Sequence, residues 1–308
     1  MIGSAELIAF LKLGRPQFLL GGLLLFGLGS ALAAASGARI DWAHYAWGQA
    51  TITAAQWMTH YANDYFDLEA DRANSTPTRW SGGSRVLVSG VIAPRVALAA
   101  SISLGAAALL AAVVLASLPN SPSFVLPLAA LIIALSWFYS APPVRLLSRG
   151  LGEATTALVV TLLTPLLGYY VQTGLVPRAL FLACLPLCAL QFSMLLTIEL
   201  PDAEGDAANG KQTLVVRRGA AWAAYCSAAI LVATYCSLPI LFLLGLEPRI
   251  AAFAALPAPI ALWQITRLSR GAYRDPKCWG GLAFASVALV VTTSLAELAG
   301  VVLSIAAK

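Results

Sequence analysis

Long stretches without a charged residue recur along this chain and limit what it can fold into. A helix needs about 20 apolar residues to cross the ~30 Å hydrocarbon core of a bilayer. The charge-free stretches run over 16–38, 42–63, 96–144, 154–177, 179–198, 219–246, 250–266 and 278–296. The stretch 96–144 contains Pro119-Asn120-Ser121-Pro122, a turn signal that divides it into two helices. The sequence therefore predicts nine membrane-spanning helices.

The composition agrees with a membrane protein. Of the 308 residues, 59% are hydrophobic and 11% are charged, whereas soluble domains carry about a quarter charged residues. So few charges cannot cover the surface of a soluble domain, and we expect no nucleic-acid partner. The five cysteines form no C-x-x-C pair and lie mostly in apolar runs, which argues against a disulfide or a metal cluster.

We expect one all-α, polytopic membrane domain over 1–308. The predicted spans are approximately 16–38, 42–63, 96–117, 123–144, 154–177, 179–198, 219–246, 250–266 and 278–300. Fifteen of the 19 Lys and Arg residues fall in loops on one side of these spans, and four fall on the other. Because short cytoplasmic loops retain positive charge, we expect a cytoplasmic N-terminus and a C-terminus outside, in the plasma membrane.

Eight of the 14 acidic residues lie in two short segments at the predicted cytoplasmic ends of spans. The first carboxylate segment, 63–71, contains Asp64, Asp67, Glu69 and Asp71, and the second, 199–206, contains Glu199, Asp202, Glu204 and Asp206. In the first, the three aspartates have i, i+3, i+7 spacing, which places them on one face of a helix if the helix continues through them. Their matching positions suggest a parallel repeat of two four-helix units, with a ninth helix added.

Like charges at these spacings repel, so the clustered aspartates indicate a neutralising partner. Carboxylate oxygens without Cys or His favour Mg²⁺, which often bridges one or two carboxylates to a substrate phosphate. The alternative is that such acids are solvated helix ends, which suits Glu69 and Glu204. His60, one turn before Asp64, is interpreted as structural.

Basic residues next to these acids favour a diphosphate ligand. Loop 72–95 is long for a helix connection, and loops of this length are usually functional or disordered. It contains Arg79 and Arg85 on either side of Gly82-Gly83, and Lys211 follows Asp206 by five residues. Acids for Mg²⁺ combined with cations for phosphate suit the binding and release of a diphosphate.

These residues resemble the motifs of the UbiA-type intramembrane prenyltransferases. Asn63-Asp64-x-x-Asp67-x-x-x-Asp71 is similar to that family's first motif, N-D-x-x-D-x-x-x-D, and Asp202-x-x-x-Asp206 to its second, D-x-x-x-D. The similarity extends to Gly14-Arg15-Pro16, to 82–88, 139–145 and 150–153, and to 199–214. The resemblance implies nine helices around a central cavity, two Mg²⁺ ions, and transfer of an isoprenoid chain from a prenyl diphosphate to an aromatic acceptor.

The resemblance also implies roles for individual residues. Five aspartates would bind Mg²⁺: Asp64, Asp67, Asp71, Asp202 and Asp206. Asn63 would orient the site or bind the metal as a ligand. Four basic residues would pair with phosphate oxygens: Arg15, Arg85, Arg145 and Lys211. Tyr139 would face an allylic cation, or it would serve as an ordinary interfacial anchor.

Within the family, the stretches at 82–87 and 199–202 look most similar to 1,4-dihydroxy-2-naphthoate prenyltransferases, which implies quinone biosynthesis of the menaquinone type. The Arg-Thr-x-x-Arg-Pro stretch of hydroxybenzoate and haem-farnesylating relatives is missing after the first motif. Pro201 replaces an Arg that is often found before the second motif. Two rival functions remain open. One is a membrane terpene cyclase with the same metal site, and the other is a cation-coupled transporter, although transporter acids tend to lie at the membrane midplane.

Overall fold

The computed structural model describes residues 4–307, which form helices joined by turns and loops without a β-strand. The helices are α1 (Ser4–Leu13), α2 (Pro16–Ala35), α3 (Trp42–Phe66), α4 (Leu68–Ala73), α5 (Pro94–Ser117), α6 (Val125–Phe138), α7 (Gly152–Leu158), α8 (Thr164–Thr173), α9 (Arg178–Ile198), α10 (Ala203–Ala208), α11 (Leu214–Arg218), α12 (Ala220–Leu243), α13 (Pro248–Ala254), α14 (Ala258–Ser269) and α15 (Pro276–Ala306). The predicted all-α class is confirmed. Lys308, which the orientation count includes, lies outside the described residues.

Seven helical segments within residues 4–307 are long and apolar enough to cross a membrane. They are Pro16–Ala35, Pro94–Ser117, Gly152–Thr173, Arg178–Ile198, Ala220–Leu243, Pro248–Ser269 and Pro276–Ala306. Two further helices coincide with predicted spans: α6 is apolar but short, and α3 is long but carries several polar residues. The count of nine and the four-helix repeat therefore stay predictions.

Local chemistry explains where the helices depart from the predicted spans. Helix α6 ends at Phe138, six residues before the predicted end at 144, because Pro142-Pro143 cannot continue a helix. Helix α1, which precedes the first span, is not anticipated by the sequence analysis. A π-helical turn over Val159–Leu163 joins α7 to α8 inside one predicted span.

Two glycines let α2 and α8 cross at close range. A Cβ atom at Gly29 would lie 1.9 Å from the Pro165 carbonyl oxygen, and one at Gly168 would lie 2.3 Å from the Phe26 carbonyl oxygen. Ser30 Oγ donates a hydrogen bond to the Gly168 carbonyl oxygen at 3.1 Å. Small residues at helix crossings are typical of membrane bundles.

The helices surround a central cavity of about 270 Å³. Residues from α2, α3, α6, α7, α9 and α15 line it, together with Trp80 from the long loop between α4 and α5. Much of its wall is aliphatic, for example Leu25, Ile132 and Val290, whereas Arg15 and Asn63 lie at the helix ends. The cavity is thus mostly apolar, and Asn63 of the first carboxylate segment belongs to its lining.

The two carboxylate segments meet through α4 and α10, which pack against each other. Gly205 on α10 allows this contact, because a Cβ atom there would lie 2.9 Å from the Ala70 carbonyl oxygen and 3.0 Å from the Asn74 nitrogen. Backbone atoms cannot yield as a flexible side chain does. The segments therefore come together only with glycine at this position or after a backbone shift.

Candidate active site

Arg15 occupies the short break between α1 and α2, where its backbone has a positive φ of 45°. Its guanidinium forms an ion pair with the buried Asp64 carboxylate and lies 3.4 Å from Asn63 Oδ1. The side chain also lines the cavity. The Gly-Arg-Pro turn thus places a cation between the first carboxylate segment and the cavity.

Asp64 has a second set of partners from the long loop. The Ser84 nitrogen lies 3.1 Å from Asp64 Oδ2, and the Ser84 hydroxyl donates to the same oxygen. These bonds fold loop 72–95 back over the end of α3.

Lys211 joins the two carboxylate segments. Its Nζ lies 3.1 Å from Asp67 Oδ2 and 2.9 Å from Asp206 Oδ1, so those two oxygens are at most about 6 Å apart, the sum of the two distances. Burial by itself lowers the pKa of Lys211, but the carboxylates of Asp67 and Asp206 raise it above its ordinary value. Residues 139 positions apart in the chain therefore share one ammonium group.

Neutral groups from the long loop bind Asp202. Asn74 Nδ2 donates to Asp202 Oδ1 at 2.7 Å, and the Gly82 nitrogen donates to Oδ2 at 3.1 Å. Burial raises the pKa of Asp202 to about 7, and the charge of Asp206 adds to that rise. The loop that holds Asp64 through Ser84 thus holds the second segment as well.

Asp71 faces the same cluster. A Cβ atom on Gly83 would lie only 2.0 Å from Asp71 Oδ2, and Gly83 has a φ of +72°. Burial raises the pKa of Asp71 to about 8, and the nearby charges of Asp64 and Asp67 contribute to the rise. This carboxylate therefore sits in a site with an excess of negative charge.

The structure thus brings the five predicted aspartates together around Lys211 and the long loop, next to Arg15 and Asn63, which line the cavity. Across the described residues, no three Asp, Glu, His or Cys side chains are arranged as a metal site. Basic groups hold three of the carboxylates instead: Asp64, Asp67 and Asp206. The donor set fits Mg²⁺ chemically, because it consists of hard oxygen ligands. Burial and like charge raise the pKa of two of its members, Asp71 and Asp202.

The other residues proposed from the resemblance differ in how closely they contact this cluster. Asn63 Nδ2 donates to Asp67 Oδ2 at 2.6 Å and to Ser140 Oγ at 3.0 Å, and Tyr139 lines the cavity. Arg85 donates to the Asp71 backbone carbonyl rather than to a carboxylate. Arg145 is exposed and is not among the residues that line the cavity.

Several partners escaped the sequence analysis. Asn74, Ser84 and Ser140 bind the aspartates or Asn63. Ser84 and Ser140 lie in the stretches 82–88 and 139–145 that resemble the family, but the sequence assigned neither a partner, and for Asn74 the only signal was the length of the loop. Glu153 and Glu199 are also buried beside the site, and Glu153 Oε1 accepts from the Leu214 nitrogen at 2.9 Å, which anchors the chain just after Lys211.

Comparisons with known proteins identify the fold and the family. A structure of a UbiA homologue from Archaeoglobus fulgidus bound to DMAPP and Mg²⁺ is 20% identical, with a TM-score of 0.65 over 94% of this chain and 99% of that one. An apo UbiA homologue from Aeropyrum pernix K1 is 18% identical, with a TM-score of 0.66 over 93% and 98%.

A digeranylgeranylglyceryl phosphate synthase is 17% identical, with a TM-score of 0.64 over 97% of this chain and 99% of that one. At such identities, these three likenesses show a shared fold. No match was found among functionally curated proteins. The model of the UbiA prenyltransferase family matches residues 23–285, most of the chain. This chain therefore belongs to the UbiA prenyltransferase family.

Proposed function

We propose that this enzyme transfers an isoprenoid group from a prenyl diphosphate to an aromatic acceptor in an Mg²⁺-dependent reaction that releases diphosphate. One observation carries the proposal: Lys211 joins Asp67 to Asp206 next to Asn63, which donates to Asp67 and lines a largely apolar cavity. A prenyl diphosphate is divided in the same way, into a charged diphosphate head and an apolar isoprenoid chain. The Archaeoglobus fulgidus homologues bound to DMAPP or GPP with Mg²⁺ support this assignment.

The five aspartates are the residues proposed to hold Mg²⁺, as two ions: Asp64, Asp67, Asp71, Asp202 and Asp206. Bound Mg²⁺ supplies Lewis-acid neutralisation of the charge on the leaving diphosphate. Arg15 and Lys211 would then pair with phosphate oxygens, Arg15 as a planar fork and Lys211 as a point charge. Asn63 would orient the cluster through Asp67, and Arg85 is proposed as a further phosphate contact. Arg145 is exposed and outside the cavity lining, so its proposed contact with phosphate would be weak and screened by water.

The reaction breaks the bond between C1 of the isoprenoid and the diphosphate oxygen, whose electron pair leaves with the diphosphate. A ring carbon of the acceptor then bonds to C1 of the allylic cation, and the ring loses a proton. The face of the Tyr139 ring, which lines the cavity, can stabilise the cation by about 0.5–2 kcal/mol. The aliphatic wall excludes water, which would otherwise capture the cation.

For the acceptor we propose a 1,4-dihydroxy-2-naphthoate-like ring, with a role in quinone biosynthesis of the menaquinone type. The support is the sequence at 82–87 and 199–202. Detergent-purified protein should be incubated with Mg²⁺, prenyl diphosphates of several lengths, and hydroxynaphthoate, hydroxybenzoate, homogentisate and glyceryl phosphate acceptors. We expect a prenylated hydroxynaphthoate. Products formed from prenyl diphosphate alone would indicate cyclisation instead.

Matched variants test the site itself. Asp64→Asn and Asp206→Asn are expected to lower diphosphate release by at least about 10³-fold, since each removes charge from the site that binds the leaving group. Glu69→Gln and Glu204→Gln are the controls, because these acids belong to the same segments but are exposed. Unimpaired release in the aspartate variants would refute the proposed site.

We further propose that the active site opens to the cytoplasm in the plasma membrane, with the N-terminus inside and the C-terminus outside. The support is the uneven distribution of basic residues together with the contact between α4 and α10, which puts both carboxylate segments at one end of the bundle. A C-terminal alkaline phosphatase fusion, active only outside the cytoplasm, should be active. An inactive fusion of normal abundance would contradict this orientation.

A further inference from the structure

Three rings form a cluster in the cavity wall next to Arg15. The Phe18 and His60 ring centroids are 5.8 Å apart with planes tilted by 33°, and the Phe18 and Trp80 centroids are 5.9 Å apart in an edge-on arrangement. All three residues line the cavity. We call Phe18, His60 and Trp80 the ring cluster. Tyr139 lines the same cavity but is not within ring-contact distance of these residues in the described chain.

The ring cluster differs chemically from most of the cavity wall. Aliphatic residues such as Leu25, Ile132 and Val290 suit an isoprenoid chain, which needs apolar area only. Aromatic rings add a preference for another ring in an offset or edge-on arrangement, with centroids 4.5–7 Å apart. The cavity therefore offers separate surfaces for an aliphatic and an aromatic ligand.

The position of Trp80 ties the ring cluster to the reacting centre. Trp80 lies two residues before Gly82, whose nitrogen binds Asp202, and four before Ser84, whose nitrogen binds Asp64. The Trp80 backbone N–H donates a hydrogen bond to Thr78 Oγ1 at 3.1 Å. The same loop thus fixes the indole ring and both carboxylate segments, so a ring bound against Trp80 would lie close to the diphosphate end of the donor.

Two polar side chains on one face of α3 complete this surface. His60 and Gln56 both line the cavity, one helical turn apart. His60 Nε2 and Gln56 Oε1 are buried without a hydrogen-bond partner, whereas most buried polar atoms in proteins have one. A ligand with ring hydroxyl groups offers the donors and acceptors that these side chains lack.

We propose that the ring cluster is the binding surface for the aromatic acceptor, with His60 as the hydrogen-bonding partner of an acceptor hydroxyl. The inference rests on the proposed function and adds to it which residues select the acceptor. It makes Trp80 and His60 specificity-determining residues that contact the second substrate. The aliphatic wall is left to the isoprenoid chain.

Steady-state kinetics of paired variants test this inference. Trp80→Leu and His60→Gln should each raise KM for the aromatic acceptor about tenfold and leave KM for the prenyl diphosphate within twofold. Phe284→Leu is the control for Trp80, because the centroids of the Phe284 and Trp80 rings are 6.1 Å apart but Phe284 does not line the cavity. His44→Gln is the control for His60, since His44 also belongs to α3 but lies outside the cavity.

The outcomes separate this inference from the proposed function. If the wild-type protein prenylates no aromatic acceptor, the proposed function fails, and the inference fails with it. If the wild type prenylates an aromatic acceptor and both variants keep its KM, only the inference is overturned. A fall in kcat with unchanged acceptor KM would likewise overturn it, because the rings would then act on the cation rather than on the acceptor.

Discussion

The two carboxylate segments bind their partners in different ways. In the first, Arg15 neutralises Asp64 and Lys211 neutralises Asp67. In the second, Lys211 neutralises Asp206, but Asp202 accepts only from the neutral Asn74 and Gly82 donors. Among residues 4–307, neither Asp71 nor Asp202 forms an ion pair.

This difference describes how charge is balanced in the proposed site for Mg²⁺ and diphosphate. The basic groups that compensate three carboxylates are the same groups proposed to bind phosphate. For the two carboxylates without an ion pair among the described residues, burial raises the pKa, and the charges of neighbouring carboxylates add to the rise. Under the proposed function, these two carboxylates carry the charge that an incoming cation would neutralise.

Removal of the shared ammonium group should have the largest effect. Lys211→Met leaves Asp67 and Asp206 buried and facing each other without compensation, and loss of one partner from a buried ion pair typically costs 3–5 kcal/mol. We expect kcat/KM for the prenyl diphosphate to fall by at least about 10³-fold. Lys277→Met, at an exposed lysine, is the control. Near-normal kinetics in Lys211→Met would show that the segments need no common cation.

A methyl group at Gly205 should push the two segments apart. The added Cβ atom would meet backbone atoms of Ala70 and Asn74, so α4 and α10 must separate. We expect Gly205→Ala to lower activity about tenfold and to raise the Mg²⁺ concentration needed for half-maximal rate. Gly280→Ala, where a Cβ atom meets nothing within 4 Å, should change neither. Equal effects in both variants would contradict the role of this contact.

The pH dependence should separate the two classes of carboxylate. Asp71 and Asp202 have pKa values raised to about 8 and about 7, so both must lose protons before they can bind a cation. Apparent Mg²⁺ affinity should therefore rise between pH 6 and pH 8, by up to about tenfold per pH unit for each proton released. Titration of Mg²⁺ at several pH values measures this, and a flat profile would contradict the raised values.

The same shifts predict the stability of the protein without Mg²⁺. A carboxyl group whose pKa is higher in the folded state stabilises folding below its unfolded pKa, and this contribution is lost as pH rises through the folded value. Metal-free protein should thus become less stable between about pH 4 and pH 8 through Asp71 and Asp202. Asp71→Asn should flatten the dependence of Tm on pH. An unchanged slope in this variant would assign the effect to other groups.

The smallest effects are expected at the remaining arginines. Arg85 reaches a backbone carbonyl of the first segment, so Arg85→Gln should lower kcat/KM by a few-fold. Arg145 is exposed away from the cavity lining, and Arg145→Gln should change kcat/KM by less than twofold. A larger loss at Arg145 than at Arg85 would mean that the diphosphate extends beyond the cluster of aspartates.

The sequence anticipated the all-α class and the family because both depend on patterns along the chain. Charge-free runs of span length identify apolar helices, and the spacing of the aspartates places them at helix ends. It missed α1 and the early end of α6, since a short helix and a Pro-Pro break change hydropathy little. It also gave no sign that His60, which it interpreted as structural, lines the cavity, because a lone histidine in a helix does not indicate a cavity.

The sequence by itself determined that this chain crosses a membrane and that it carries two acidic motifs with basic loops. Only the tertiary structure decided which charges meet. Lys211 pairs with an aspartate 144 positions earlier, and the long loop binds both segments through the neutral groups of Asn74, Gly82 and Ser84. Such contacts depend on how α4 approaches α10 at Gly205, and spacing along one chain contains no measure of that distance.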